Sequence, residues 1–329
     1  MIRALRVARA LGTDPAKNLA LEALLMERLP RETCVLYLWQ NAHTVVVGRN
    51  QNAWRECRVD LLRADGGRLV RRPSGGGAVY HDLGNLNFTF LLHDGDYDVA
   101  RQQRTILRAV RSLGVDARVS GRNDLEADGR KFSGNAFYRH GGRACHHGTL
   151  LLDVDMERMG RYLNVDPEKL AGKGVASVRA RVVNLRALEP SITPQAMARA
   201  LTEALGEEYG PEPQPLDMHA LDGPRLRELE ARFASWDWTY GRPIAFSQRV
   251  SRRFAWGGVE LCLRVDAGRV ADCACYSDAM DAGLSGRVER ALRGCRFERA
   301  ALCEALCALE AEDAGQAQDL RALVGALEC

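Results

Sequence analysis

Hydrophobic and polar positions follow two patterns along the first part of the chain, one typical of strands and the other of helices. Val35–Trp39 and Thr44–Gly48 are short apolar runs separated by a polar turn, which predicts two paired strands. Leucines recur at helical spacing within Pro15–Leu29, where Asp14 supplies an N-cap and proline occupies the first turn. The chain is therefore predicted to begin as a mixture of helices and strands.

The same two patterns continue as far as residue 120. Asn85–Leu92 and Val115–Ser120 are apolar segments that predict further strands. Between them, Asp98–Leu113 carries apolar residues on one helical face and is followed by Gly114, which is typical of a helix end. The opening residues, Met1–Gly12, contain arginines and no acidic residue, as transit peptides do, but their alternation favours a first strand.

The pattern changes towards the C-terminus. Trp256–Val265 and Arg269–Tyr276 predict a β-hairpin, and three helical segments follow from about Ser285. We therefore predict an α/β (α+β) protein with a large domain at residues 1–246 and a small α+β domain at residues 247–329.

Composition agrees with this division. A chain of 329 residues is longer than one core of ordinary size requires. Hydrophobic residues make up 46% and charged residues 27%, as in soluble globular proteins. The net charge of +3 is too small to indicate nucleic-acid binding, and no apolar run reaches the ~18 residues of a membrane span. We expect neither nucleic acid nor membrane as a partner.

Ten cysteines raise the question of a metal site or disulfides. The closest pairs are Cys273 with Cys275 and Cys303 with Cys307, and neither has the Cys-x-x-Cys spacing of common zinc sites. No histidine follows His219 to complete a mixed site, so zinc is disfavoured. Cys303 and Cys307 lie four apart on a helical pattern and are predicted to be buried. Without a secretion signal, we expect reduced thiols in the cytoplasm.

The segment RRPSGGGAVYHDLGN, residues 71–85, combines two arginines, a serine and three successive glycines just before a strand-like run. It lacks the Gly-Lys-Ser/Thr ending of a P-loop and the spaced glycines of a dinucleotide site. Bare main chain could contact a ligand there while the arginines hold an anionic group. Alternatively, it is a tight turn with surface arginines. These residues alone leave both interpretations open.

Three further segments place small or polar residues beside apolar strands: Gly121–Leu125 (GRNDL), Arg130–Ala136 (RKFSGNA) and His146–Leu152 (HHGTLLL). Lys131 is either a solvated strand lysine or a fixed positive charge directed into a pocket. The two adjacent histidines of the third segment would point to opposite faces of a strand, which disfavours a shared metal.

In this order, these segments resemble the lipoate–protein ligase family over nearly the whole chain. The resemblance is carried by RRPSGGGAVYHDLGN, GRNDL, RKFSGNAFYR, HHGTLLL, AGKGVASVRARVVNL, ASWDWTYGRPIAFS and RRFAWGGVELCLRV. A more distant resemblance to biotin–protein ligases shows in the glycine loop, the Asn123–Asp124 pair and the lysine that follows. The resemblance implies a mixed-sheet catalytic domain at residues 1–246 and an accessory domain at residues 247–329.

The resemblance also implies an activity. Such enzymes activate lipoate with ATP to lipoyl-adenylate and pass the lipoyl group to one lysine of a carrier domain. The implied carriers are the lipoyl domains of 2-oxoacid dehydrogenase E2 subunits and the glycine cleavage H protein. Magnesium would accompany the ATP phosphates, with no metal ligand from the protein.

Particular residues match the family's functional positions. Lys131 matches the essential lysine, which contacts both ATP and lipoate and stabilises charge on the phosphate and the acyl centre. The positions implied for ATP are Arg72, Gly77, Ala78, Val79 and Tyr80, and those for lipoate are Gly75, Gly76 and His147. Asp124 would lie near the entering lysine or a magnesium ion.

The segment Leu163–Val182 corresponds to the loop that covers the adenylate. The residues of this loop that the resemblance assigns to phosphate or ribose are Lys173, Ser177, Arg179 and Arg181. Judged without the resemblance, the segment would be an ordinary mobile basic loop.

Two rival functions follow from the same residues. One is a lipoyl or octanoyl transferase that cannot activate the free acid, and the other is an adenylate-binding regulator or carrier-binding module without turnover. Cys145 stands where the family more often has an aromatic residue, and related octanoyltransferases use a cysteine thioester. Cys145 does not stand at the position of the catalytic cysteine in those octanoyltransferases, so we interpret it as a packing substitution.

Overall fold

The computed structural model of the protein describes residues 2–121, 124–164, 181–240, 247–307, 309, 314–325 and 327. The strands are β1 (Ala4–Arg9), β2 (Thr33–Trp39), β3 (Thr44–Val47), β4 (Arg68–Arg71), β5 (Val79–His81), β6 (Asn85–His93), β7 (Ala117–Ser120), β8 (Asp124–Ala127), β9 (Arg130–His140), β10 (Arg143–Leu151), β11 (Pro213–Pro215), β12 (Gln248–Phe254), β13 (Gly257–Asp266) and β14 (Arg269–Ser277). The helices are α1 (Pro15–Glu27), α2 (Ala53–Glu56), α3 (Val59–Ala64), α4 (Val99–Ser112), α5 (Met156–Tyr162), α6 (Leu185–Leu188), α7 (Pro194–Tyr209), α8 (Pro224–Ala234), α9 (Trp236–Tyr240), α10 (Leu284–Leu292), α11 (Arg299–Cys307) and α12 (Ala314–Val324).

Contacts between residues divide the chain into two compact units, which we describe separately. The first unit contains Met1–Val46, Cys57–Val70 and Val79–Thr239, and the second contains Val47–Glu56, Arg71–Ala78 and Tyr240–Cys329. Two early segments therefore pack with the C-terminal part of the chain. The single domain boundary at residue 246 remains a prediction.

The first unit is built on an eight-stranded mixed sheet in the order β11-β1-β2-β6-β10-β9-β8-β7. Strands β1 and β2 are parallel, with α1 as their crossover, and β2, β6, β10 and β9 pair in antiparallel fashion. Apolar residues of α4 and α7 cover one face, and those of α1 and α8 cover the other. Because both faces are covered, β6 is buried along its whole length, including its polar residues Asn85, Asn87, Thr89 and His93.

Local signals in the sequence place several of these elements correctly. Asp14 caps α1 as predicted, since its carboxylate accepts hydrogen bonds from the main-chain N–H groups of Ala16 and Lys17 at 3.0 and 3.1 Å. Residues 4–9 form a strand, so the strand interpretation of the N-terminus is confirmed. The predicted mixed α/β fold is likewise confirmed.

The second unit contains the three-stranded antiparallel sheet β12-β13-β14 and the helices α10, α11 and α12. The predicted hairpin is confirmed as β13 and β14, whereas β12 was not predicted because exposed arginines interrupt its apolar pattern. The prediction that Cys303 and Cys307 are buried is wrong: Cys303 is half-buried and Cys307 is exposed. The preceding leucines, Leu302 and Leu306, turn inwards instead and are fully buried.

No helix among the described residues is both long enough and apolar enough to cross a bilayer.

Candidate active site

Lys131 lies on β9 beside a break in strand register. Glu126 pairs with Lys131 and Leu125 pairs with Ser133, so Phe132 is an extra residue on β9. The bulge brings the lysine side chain over Gly134, where an added Cβ atom would lie only 2.9 Å from Nζ. The missing side chain at Gly134 thus leaves room for the lysine side chain to lie along the strand.

The ammonium group of Lys131 pairs with Asp124. Lys131 Nζ lies 2.7 Å from Asp124 Oδ1, and the two side chains keep 35% and 25% of their surface exposed. The pair is therefore accessible to solvent and to a ligand. Next to it, the Gly134 main-chain N–H donates to Thr149 Oγ1 at 3.3 Å. Thr149 and Gly134 lie within two of the segments that were singled out, but their contact with each other could not be predicted, because it depends on how β9 pairs with its neighbours.

The predicted covering loop begins and ends at described residues. Val183 N–H donates to the Lys131 main-chain oxygen at 2.9 Å, and Val182 forms a parallel bridge with Lys131. The chain that leaves this loop is therefore attached directly to the lysine strand. Lys173, Ser177 and Arg179 lie outside the described residues, so their assignment stays a prediction.

The adjacent histidines of β10 point to opposite faces of the sheet, as predicted. His146 lies among core residues on the α4 side, with its two ring nitrogens 2.7 Å from Gln102 Oε1 and 2.8 Å from Asn135 Oδ1. Burial lowers the pKa of His146 to about 3, so the ring is neutral. A neutral ring donates through one nitrogen and accepts through the other, so one of the two amides, Gln102 or Asn135, must present its NH₂ group to the accepting nitrogen.

His147 faces the α1 side and belongs to a buried polar network. Its Nδ1 lies 2.9 and 3.1 Å from the two carboxylate oxygens of Glu22, which is completely buried. Thr89 Oγ1 donates to Glu22 at 2.7 Å and accepts a hydrogen bond from Trp39 Nε1 at 3.0 Å. The sequence did not indicate Glu22, because a glutamate in a helical pattern usually lies on the solvent face.

Cys145 is also completely buried on this face. Burial is the largest cause that raises the pKa of its thiol far above the ordinary value, followed by the charge of Glu22. A buried thiol of this kind is a poor nucleophile, which supports the packing interpretation.

In the second unit, both arginines of the glycine loop are buried. Arg71 and Arg72 keep only 6% and 7% of their surface, so the interpretation as surface arginines is wrong. Arg71 donates to the main-chain oxygens of residues 48, 49 and 51 at 2.8, 3.0 and 2.7 Å. Burial lowers the pKa of Arg71 to about 10, still well above neutral pH. Arg71 thus stabilises the neighbouring loop.

Arg72 binds the glycine loop itself. Its guanidinium donates to Ser74 Oγ at 3.0 Å and to the main-chain oxygens of Gly75 and Gly77 at 2.7 Å each. The predicted phosphate contact would require Arg72 to exchange some of these carbonyl partners for phosphate oxygens.

Gly75 and Gly76 pack against the segment that follows β14. An added Cβ atom on Gly75 would lie 2.4 Å from the main-chain oxygen of Ala279 and 2.5 Å from that of Met280. Gly76 has a φ of +86° and donates its main-chain N–H to Ala279 at 2.9 Å. At Gly75 the missing side chain therefore makes room for protein backbone.

Other hydrogen bonds hold the same segment against residues 47–56. Asn50 Nδ2 donates to the main-chain oxygen of Asp281 at 3.0 Å, and the Ser277 N–H donates to Asn50 at 2.8 Å. Arg55 forms an ion pair with the buried carboxylate of Glu260. Residues 47–56 and 71–78 thus share one set of partners near β13 and β14.

The remaining predicted ATP positions fall into both units. Val79 and Tyr80 lie on β5 in the first unit, paired with Val46 and Val45 of β3. Tyr80 is buried, which raises the pKa of its hydroxyl to about 12. Gly77 and Ala78 belong to the second unit.

A cleft of about 520 Å³ in the first unit contains none of the predicted site residues. Its lining consists of Ala42, His43, Asp82, Leu83, Gly84, Asp153, Val154, Asp155 and Arg158.

Two solved structures resemble the chain at 26% identity. LipL1 of Plasmodium falciparum in complex with lipoate aligns with a TM-score of 0.85, covering 97% of this chain and 98% of that one. A bipartite lipoate protein ligase of Thermoplasma acidophilum, described with its E2 lipoyl domain, aligns with a TM-score of 0.63 and covers 73% of this chain and 97% of that one.

A third structure supports the fold alone. It is a lipoate-protein ligase A bound with ATP, 24% identical, with a TM-score of 0.62 and coverage of 73% of this chain and 99% of that one. A biotin protein ligase from Aquifex aeolicus aligns at 11% identity with a TM-score of 0.32, covering 64% of this chain and 70% of that one.

Family models cover most of the chain. Residues 14–206 match the lipoyl protein ligase A/B catalytic domain, and residues 244–327 match the bacterial lipoate protein ligase C-terminus. The catalytic match alone spans more than half of the 329 residues. The chain therefore belongs to the lipoate–protein ligase family.

Proposed function

We propose that this ligase activates lipoate with ATP to lipoyl-adenylate and transfers the lipoyl group to a lysine of a carrier domain. The observation that carries the proposal is Lys131, a partly exposed ammonium that a strand bulge holds beside Asp124 and over Gly134. A fixed cation at this position suits a reaction between two anionic substrates.

Charge stabilisation by Lys131 would serve both steps. In the first, a lipoate carboxylate oxygen bonds to the α-phosphorus of ATP while the bond to pyrophosphate breaks. In the second, the carrier lysine amine bonds to the acyl carbon, AMP leaves, and the amine loses a proton. The carboxylate of Asp124, whose Oδ1 lies 2.7 Å from Lys131 Nζ, would receive or relay that proton.

The glycine loop would hold the phosphates and the lipoyl carboxyl region. Arg72 donates to two main-chain carbonyls of the loop and to one hydroxyl. On binding ATP, its forked guanidinium would donate to phosphate oxygens in place of some of these acceptors. His147 is assigned to lipoate through its family position. Magnesium would enter with the ATP phosphates and be held largely by them.

We assign the transfer step to lipoyl domains of 2-oxoacid dehydrogenase E2 subunits and to the glycine cleavage H protein. The *T. acidophilum* relative, described with its E2 lipoyl domain, supports the first of these carriers. We place the enzyme in the cytoplasm, since the cysteines that the structure describes are all free thiols.

The test is incubation with ATP, magnesium, lipoate and an apo lipoyl domain, followed by intact-mass measurement of the domain. We expect one lipoyl addition. Lys131→Ala should reduce lipoate-dependent ATP–pyrophosphate exchange by ~10²–10³, the usual cost of removing one preorganised charge donor. Lys17→Ala, at an exposed lysine of α1, is the matched control and should match the unmodified enzyme.

Transfer without ATP–pyrophosphate exchange would instead identify the rival transferase. Cys145 gives that rival no support, because its thiol is buried and its pKa is raised. Full exchange activity in Lys131→Ala would contradict the role assigned to Lys131.

A further inference from the structure

Three potential metal ligands meet on the α1 face of the large sheet. Glu22, Cys145 and His147 each offer one donor atom, and these three atoms all lie within 4.8 Å of one another. Among the residues that the structure describes, this is the one place where three such side chains converge. A carboxylate, a thiol and an imidazole are the donor types that zinc binds in proteins.

The fold explains why these donors meet. Cys145 and His147 are two residues apart on β10, so their side chains leave the same face of the sheet. Glu22 lies on the buried side of α1, which packs on that face. The group is thus fixed by one strand and one helix, both of them regular elements, rather than by loops.

The donor atoms lie almost as close together as the ligands of a zinc ion. Zinc bonds of the usual lengths place donor atoms ~3.3–3.8 Å apart. Here His147 Nδ1 lies 2.9 Å from the carboxylate of Glu22, and no pair of the three donors is farther apart than 4.8 Å. Adjustments of ångström size in side chains would therefore suffice.

We propose that Glu22, Cys145 and His147 form a zinc site with three protein ligands. A bound ion would replace the hydrogen bond between Glu22 and His147 and take up the thiol as a thiolate. The two negative ligands would neutralise the divalent ion within a buried region, where an unpaired charge is costly. Thr89, which donates to Glu22 at 2.7 Å, would orient the carboxylate from outside the coordination sphere.

Zinc would also inhibit ligation, a consequence that rests on the proposed function. His147 is assigned to lipoate, and an ion bound to it would occupy the same side chain. Zinc would then act as a competitor of lipoate without any change at Lys131.

The first experiment uses metal alone, on the full chain without ATP or lipoate. Cobalt(II), a spectroscopic substitute for zinc, should give a thiolate-to-metal absorption band at one equivalent, and zinc should abolish the band. Cys145→Ser should lose the band, whereas Cys307→Ser, at an exposed thiol, should retain it. Glu22→Gln should keep the band but weaken cobalt binding by tenfold or more.

Several results would overturn the site. They are the absence of a band in the unmodified chain, its persistence in Cys145→Ser, or its loss in Cys307→Ser. If Cys145→Ser does not fold, which circular dichroism would reveal, unaltered cobalt affinity in Glu22→Gln would refute the proposal by itself. The role of Glu22 and His147 on this face would then be limited to the buried hydrogen bonds that they form.

The second experiment measures lipoylation of an apo domain with increasing zinc. Without zinc, Cys145→Ser should lipoylate the domain at the rate of the unmodified enzyme. The zinc concentration that halves this rate should be at least tenfold higher for Cys145→Ser than for the unmodified enzyme. Equal zinc sensitivity of both proteins would contradict competition at this site. Metal binding without any ligation would contradict the proposed function and leave the zinc site intact, so the two failures are distinguishable.

Discussion

Substituting Gly75 by alanine tests whether the glycine loop is shaped by protein contacts. The added carbon would lie 2.4 Å from the Ala279 oxygen and 2.5 Å from the Met280 oxygen, both of them main-chain atoms. The two backbones would have to separate by roughly half an ångström to reach even a tight contact of 3.0 Å. The hydrogen bond from Gly76 to Ala279, now 2.9 Å, would be stretched or lost.

The expected cost follows from these contacts. Overpacking of this kind destabilises a protein by about 1–3 kcal/mol, which includes ~1 kcal/mol for one lost hydrogen bond. For a unit of roughly 100 residues, each kcal/mol lowers the melting temperature by ~4–8 °C. Gly75→Ala should therefore lower the melting temperature of the second unit measurably, although its own φ is not strained.

The assay is hydrogen–deuterium exchange together with thermal unfolding. Peptides that cover 71–78 and 277–281 should exchange faster in Gly75→Ala than in the unmodified chain. Gly160→Ala is the control, because a Cβ atom at that helical position meets nothing within 4 Å. A Gly75→Ala protein with unchanged melting and unchanged protection of both peptides would refute the packing argument.

Three other predictions concern charge, pH and chain length. Lys131→Arg should also be poor in ATP–pyrophosphate exchange, because a planar fork cannot replace a compact ammonium between two oxygens; wild-type exchange would contradict this. Burial keeps the pKa of His146 at about 3, against 6.5 for an ordinary histidine. Below pH 6.5 the unfolded chain therefore binds a proton that the folded chain does not bind, so the free energy of unfolding should fall as the pH falls. The loss should be about 1.4 kcal/mol per pH unit, and urea unfolding of His146→Gln should lack that contribution. A chain that ends at Ser247 should lose lipoate activation as well as transfer, since it lacks the Ala279 oxygen that holds the glycine loop. Full pyrophosphate exchange by that truncated chain would show that the loop works without this partner.

Local signals explain which parts of the fold could be predicted. The cap at Asp14, the apolar end of β6 at Phe90–Leu92 and the hairpin of β13 and β14 each depend on neighbours in sequence. The buried face of α11 was predicted one residue out of place, at Cys303 and Cys307 instead of Leu302 and Leu306. Cysteine and leucine are both apolar, so only the packing of the core decides which of them faces inwards.

Candidate site residues could be named only where an ordered set of segments resembled the family, and their roles stay predictions. Glu22 could not, because its partner His147 is 125 residues away and nothing near it in the chain shows that it is buried. Gly134 was missed because a bulge appears only when β9 pairs with β8. The partners of Gly75 were missed for the same reason, since about 200 residues separate them.

That separation has a consequence for synthesis of the protein. Residues 277–281 follow the glycine loop by about 200 residues, so at ~5–20 residues per second the loop is made ~10–40 s before its partners. During this interval Arg71 and Arg72 already have carbonyl partners within 48–51 and 74–77, whereas the Gly76 N–H has no Ala279 oxygen to bind. The glycine loop is therefore completed only after β14 has been made, so we expect unfinished chains to show no lipoate-dependent ATP–pyrophosphate exchange.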